Sequence, residues 1–392
     1  MLLSATGTFV ISGSMGMIVE AVLGPSTENA AEENGYYPKL EPDDDPEGED
    51  DGEPYYELGP PVFYMLEGGV FELPLAGAGG FAAVTLHVRA APEEDANVIR
   101  VLDPGHGFTI VSESGDWWNI LVGNVEGWVK HRYCFINLPD IIPSIVYNVT
   151  NAYSSVKRSL ERDIPGVTGH ALHNMRGFNE RLNRYEFIVP ALYTTAKRVF
   201  RAQQAALADG NTLVIYEAFR PAEVQRLVVG NLTAMAGAYP EISRSLNTPP
   251  WNIHWFVSTG ISNHQRGAAI DASLARIAAQ ETRTAGRFAF MEITEYEEFP
   301  MQTKMHELSP LAAVRLPWNL DPEVEINISA ALPRSVSYGT VLMQRYFAYG
   351  GMYPLPSEWW HFNDNVSRVA AEGMEINGDF SIETVYSRIP ST

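Results

Sequence analysis

"SNHQRGAAIDASL", residues 262–274, decides how the second half of this chain is read. It carries one histidine, His264, and one aspartate, Asp271, seven positions apart, with Gly267 between them among small residues. One reading is a turn followed by an ordinary half-buried strand with a solvated His and Asp. The other is two of the three protein ligands of a metal site. The stretch does not separate the two by itself, so a third ligand and a base must be sought elsewhere.

Near the C-terminus, "PLPSEWWHFND" (354–364) places Glu358 and His361 three residues apart. His264, Asp271 and His361 together make two imidazoles and one carboxylate, a normal catalytic zinc complement that leaves one position for water. Zinc lowers the pKa of such a water toward neutrality. A neighbouring carboxylate outside the ligand set can then take the proton and pass it to a leaving amine. Glu358, flanked by Trp359 and Trp360, suits that task. The bland alternative is an aromatic core strand with polar ends. The remaining histidines, at 87, 106, 131, 170, 173, 254 and 306, show no comparable grouping. His306-Glu307 in "HELSP" has the start of a zinc-protease helix motif, but Pro310 stands where its second histidine belongs.

The chain has 392 residues, 45% of them hydrophobic and 11% aromatic, a composition that builds cores and allows two modest domains. Of the formal net charge of -21, the thirteen acids and one lysine of residues 28–57 contribute -12, leaving -9 for the rest. That balance excludes nucleic acid as a partner, because phosphate binding needs a basic face. The single cysteine, Cys134, allows neither an intramolecular disulfide nor a cysteine-based zinc site. Residues 1–24 are apolar and small, with the length and "VEA" ending of a secretory signal but no basic start. No other window is apolar enough to span a membrane, so a protein integral to the membrane is not expected. Export to the cell wall or the extracellular space is the first expectation, and a cytoplasmic protein the alternative.

Residues 25–61, rich in Pro, Gly and acids, read as a disordered linker. From 62 to 138 short apolar runs alternate with turns, which predicts a small antiparallel barrel of about five strands. Beyond 139 helical and strand patterns mix without strict alternation, which predicts α+β. Residues 186–210 read as the clearest helix, "NTLVIYEAF" (211–219) as a buried strand, and the segment after Pro221 as a second helix.

Two resemblances sharpen these expectations. "LHVRAAP" (86–92), "DPGHGFTIV" (103–111), "DWWNIL" (116–121) and "GWVKHRYC" (127–134) resemble the bacterial SH3-like domain. That likeness implies binding to the cell wall; a barrel that only packs on its neighbour is the alternative. "SNHQRGAAIDASL" is similar to the Ser-x-His-x-x-Gly-x-Ala-x-Asp signature of zinc D-Ala-D-Ala peptidases, and "SEWWH" to their Glu-x-x-His partner. "LVIYEAFRPAEVQ" (213–225) resembles the Tyr-Arg-Pro segment of the dipeptidase branch known from vancomycin resistance, with Phe219 in place of the tyrosine. "YNVTNAY" (147–153), "DIPGVTG" (163–169) and "RLNRYEFIVPALYTTAKRV" (181–199) are also similar to that branch, so the likeness spans about 143–364.

The resemblance implies an α+β zinc D,D-peptidase (hedgehog/DD-peptidase-like) domain at 139–392, preceded by the SH3-like barrel. Carried over residue by residue, His264, Asp271 and His361 would hold one zinc ion, and Glu358 would act as general base and later acid. Arg220 would face the oxyanion; a structural pairing with Glu217 is its alternative. Ser262, and either His306 or Glu307, would meet substrate. The implied reaction is hydrolysis of the D-Ala-D-Ala bond, of the free dipeptide first. The alternatives are a D,D-carboxypeptidase trimming peptidoglycan stem peptides, and an inactive wall-binding protein.

Overall fold

The computed structural model describes residues 62–150, 153–154, 162–173, 176–249, 251–314 and 336–390. The expected signal segment and acidic linker therefore lie outside the described residues, apart from the linker's boundary at 62. Residues 57–392 form one compact unit. No helix among the described residues is long and apolar enough to cross a membrane.

Two sheets carry the fold. The first has eight strands, in the spatial order Pro190–Leu192, Cys134–Asn137, Gly79–Ala82, Gly107–Ser114, Trp117–Val122, Val125–Lys130, Leu86–Arg89, Val98–Leu102. The expected closed five-stranded barrel does not form. The ladder stays open, with Val98–Leu102 at one edge. A strand from the second half of the chain, Pro190–Leu192, pairs antiparallel with Cys134–Asn137 at the other. Trp118 is the core tryptophan of this sheet, fully buried; Trp117 beside it is also buried, and Trp128 is half-buried.

The second sheet has seven strands, and its centre is Ala269–Ala285. The first seven residues of that strand are all buried, because Asn211–Glu217 pairs on one side and His361–Asn363 on the other. A continuous run of small and apolar residues suits a strand flanked on both sides. Further along, the strand alternates and leaves the core as a long hairpin with Phe288–Glu298.

Five helices are described: α1 (Tyr193–Ala208), α2 (Ala222–Ala238), α3 (Pro240–Asn247), α4 (Tyr338–Gly350) and α5 (Asn365–Gly373). The helix expected over 186–210 starts only at Tyr193. Arg184–Phe187 forms a hairpin with Arg176–Asn179, and Pro190 sits in the strand that joins the first sheet. Pro190 lacks the N–H a helix interior needs and pushes its predecessor toward extended backbone. The helix ends where Asp209 and Gly210 cap it, as the sequence indicates. Its buried face, Ala196, Val199, Ala202 and Ala206, shares one apolar core with Trp118 and Ile136 of the first sheet and Leu213, Ile270 and Phe362 of the second.

Candidate metal and catalytic site

Strand register assembles the centre of the site. Glu217 lies opposite Asp271, and Asp271 lies opposite His361, so three adjacent strands present their polar residues on one rung. His264 reaches the same point from the turn before the central strand. That turn is fixed by Gly267 (φ 66°), whose N–H donates to the His264 carbonyl at 3.0 Å. A Cβ at Gly267 would stand 2.5 Å from the ring of Phe135, which closes this side of the turn.

The three donor atoms converge. His264 Nε2 lies 3.0 Å from His361 Nδ1 and 3.2 Å from Asp271 Oδ1, and His361 Nδ1 lies 3.0 Å from the same oxygen. The far side of each ring has a partner that fixes its tautomer. His264 Nδ1 donates to the Ala218 carbonyl at 2.7 Å, and His361 Nε2 donates to Asn363 Oδ1 at 2.9 Å. A neutral imidazole has one N–H, so the nitrogens that face each other carry lone pairs. With both rings neutral, two lone pairs and a carboxylate oxygen face one another in a buried site. A cation between them relieves the repulsion, as does a proton on His361, whose pKa burial lowers but Asp271 raises above the ordinary imidazole value. Donors about 2.0–2.2 Å from a tetrahedral ion stand roughly 3.3–3.5 Å apart, close to the triangle seen here. The residues fit a zinc-type ion.

Asp271 uses its two oxygens differently. Oδ1 faces the two histidines, while Oδ2 accepts from His306 Nε2 at 3.1 Å and lies 3.4 Å from an Arg220 Nη2. Burial alone would push the Asp271 carboxyl up; His264, His306 and His361 hold it well below the usual carboxylate range. A second grouping, Glu217, Asp271 and His306, also brings ligand atoms together. The Arg220 guanidinium already occupies it, with Nε donating to Glu217 Oε2 at 2.9 Å and Nη2 to the same oxygen. Burial would raise Glu217 too, but Arg220 and His173, whose Nε2 lies 2.7 Å from Oε1, keep it ionised.

Glu358 comes from the loop before the His361 strand. Trp359 and Trp360 beside it are buried, and Trp359 Nε1 donates to Thr303 Oγ1 at 2.9 Å. Its Oε2 lies 3.8 Å from His361 Nδ1, near the donor triangle but outside it. Burial pushes its carboxyl up to about 8; His361 opposes this and the Asp271 charge adds to it.

These groups line a cavity of about 280 Å³. Arg220, Ser262, His264, Asp271, His306, Glu358 and His361 all reach it, and Glu307 does not. Glu307 is buried beside Ser309, whose Oγ donates to it at 3.3 Å, so of the pair left open in the sequence only His306 faces the cavity. Ser262 Oγ accepts from the Gln265 N–H at 3.3 Å, which leaves its own O–H able to donate. Arg220 pairs with Glu217, the structural alternative, and also lines the cavity. Sequence reasoning passed over Tyr153, Gln225, Asn263 and Asn363, which also line it. Tyr153 stacks on His306 with ring centroids 4.7 Å apart, and Gln225 Oε1 accepts from Arg220 Nη1 at 2.8 Å. Gln225 and the two asparagines lie within or beside the quoted motifs, and that adjacency was the available signal.

Residues 84–134 match the family described as bacterial SH3 domain, and the chain contains such a domain there. The match coincides with the strands from Leu86 to Lys130 of the first sheet. No curated protein matches the chain.

Proposed function

We propose that this chain is a zinc-dependent peptidase that hydrolyses the D-Ala-D-Ala bond, with the free dipeptide as substrate. The observation that carries the reading is the triangle of His264 Nε2, His361 Nδ1 and Asp271 Oδ1, each pair 3.0–3.2 Å apart, with both histidine tautomers fixed from behind. His264, Asp271 and His361 would hold the ion, which supplies Lewis acidity toward a water and a peptide carbonyl.

The protein groups divide the remaining work. Glu358, buried and 3.8 Å from a ligand nitrogen, takes the proton of the attacking water and returns it to the departing amine. Arg220 has five N–H donors. Nε and one Nη2 hydrogen go to Glu217, the other Nη2 hydrogen faces Asp271, and one Nη1 hydrogen goes to Gln225. One Nη1 hydrogen remains for the oxyanion, on a guanidinium that does not reorganise as charge develops. The Ser262 hydroxyl is a donor for a substrate carboxylate.

The cavity of about 280 Å³ lies at the small end of ligand pockets. It favours a dipeptide over a longer stem peptide. The bacterial SH3 domain favours a second reading, a D,D-carboxypeptidase working on peptidoglycan with that domain bound to the wall. Release of D-Ala by purified protein separates them, comparing D-Ala-D-Ala with a stem pentapeptide ending in D-Ala-D-Ala, with and without chelator. Chelator-sensitive cleavage of the dipeptide alone supports the dipeptidase. Cleavage of the pentapeptide supports wall trimming. Bound zinc with neither substrate cut would leave a wall-binding protein.

A further inference from the structure

Behind His361 lies a pair of amides that the proposed chemistry does not use. Asn363 Oδ1 receives His361 Nε2–H at 2.9 Å and Asn263 Nδ2–H at 2.7 Å. Asn263 directly precedes His264, and Asn363 stands two residues beyond His361 on the same strand. One buried oxygen thus joins the turn that carries the first histidine to the strand that carries the second.

An asparagine amide alone is an ambiguous partner for an imidazole. Its oxygen face stabilises the Nε2–H tautomer, and its nitrogen face stabilises the Nδ1–H tautomer. The second tautomer would put a proton on the nitrogen that lies 3.0 Å from both His264 Nε2 and Asp271 Oδ1. Asn263 removes the ambiguity. Its Nδ2–H pairs with an oxygen and not with another N–H, so reversing the arrangement requires both amides to turn over together.

We propose that Asn263 and Asn363 form a tautomer lock: Asn363 Oδ1, oriented by Asn263, keeps the proton on His361 Nε2 and leaves Nδ1 free to bind metal. The proposal rests on reading the His264–Asp271–His361 cluster as a metal centre. Both asparagines are positioning residues, because they act through His361. Partners behind metal-bound histidines typically change affinity about 10–100-fold when removed.

The test uses the full chain and three variants, Asn363→Leu, Asn363→Asp and Asn263→Ala. Zn2+ affinity is measured by competition with a chromophoric chelator, alongside thermal unfolding of the metal-free proteins. Asn363→Leu should bind zinc about 10–100-fold more weakly. Asn363→Asp keeps an acceptor and should bind as tightly as the wild type or tighter, with Asn263→Ala between them. Wild-type affinity in Asn363→Leu, or a loss in Asn363→Asp as large as in Asn363→Leu, overturns the proposal. A second readout needs no metal: long-range 1H–15N NMR of the metal-free protein at pH 9. The wild type should show His361 as the Nε2–H tautomer and Asn363→Leu a shift toward Nδ1–H; Nδ1–H in the wild type overturns the lock. A folded wild type that takes up no zinc refutes the metal reading alone, and the NMR result still decides the lock.

Discussion

Glu358 is the residue on which the chemistry turns, and its environment separates two of its properties. It stands 3.8 Å from a ligand nitrogen, outside the triangle, so the ion does not depend on it. Glu358→Gln should therefore keep stoichiometric zinc, read by metal analysis, and lose about 10²–10⁴ in kcat. His264→Ala should lose zinc and turnover together. Away from the site, Glu72 makes a pH prediction. Half-buried beneath Ser144 and Gln204, its carboxyl is pushed up to about 7 by burial, against hydrogen bonds that oppose the shift. Unfolded, it titrates near 4.5, so between 4.5 and 7 the folded chain holds the extra proton. Its contribution to stability is complete below 4.5 and lost as pH rises through 7. Thermal unfolding followed from pH 4 to 8 should show that decline, and Glu72→Gln should remove its share, leaving the part that Glu358 contributes.

At the scale of elements, the ligand turn leans on the first sheet. Phe135 meets Gly267 on one side and Phe219, the neighbour of Arg220, on the other, with ring centroids 5.3 Å apart. The Leu192 N–H also donates to the Gly267 carbonyl at 2.9 Å. Gly267→Ala should be strongly destabilising, since the new methyl meets both a positive φ and the Phe135 ring. Phe135→Ala should cost about 3–5 kcal/mol in denaturant unfolding. It should also weaken zinc binding, whereas an equally destabilising core truncation remote from the turn should not. The motifs themselves were legible because each is local: a His, a Gly and an Asp in ten residues, a Glu and a His in four. The open edge of the first sheet was not legible. It depends on three residues, 190–192, whose pattern continues smoothly into α1 and whose partner strand is more than fifty positions away. Nor were the asparagines, because their roles come from strand register rather than spacing.

At the scale of the molecule, the bacterial SH3 domain is not an independent bead. It shares a ladder with Pro190–Leu192 and an apolar core with α1 and the second sheet. The C-terminal segment ties it down further: the Thr109 hydroxyl donates to the Tyr386 carbonyl at 2.7 Å, and on the domain's flanks Arg388 N–H donates to the Gly77 carbonyl at 2.7 Å and the Ser387 hydroxyl to buried Asp140. Calorimetry of the full chain should show one cooperative transition for residues 62–390. Two transitions, or a soluble and folded fragment starting at 139, would contradict that.

The rung that joins Asp271 to His361 pairs residues 90 positions apart, and the two histidines are separated by 97. Closing so large a loop is slow, because its entropy is lost before the pairing repays it. That separation predicts that the donor triangle completes late in folding. An ion that binds only the finished triangle cannot guide the search for it. Added zinc should leave the refolding rate unchanged and slow unfolding, so that the metal acts as a latch on a fold already reached.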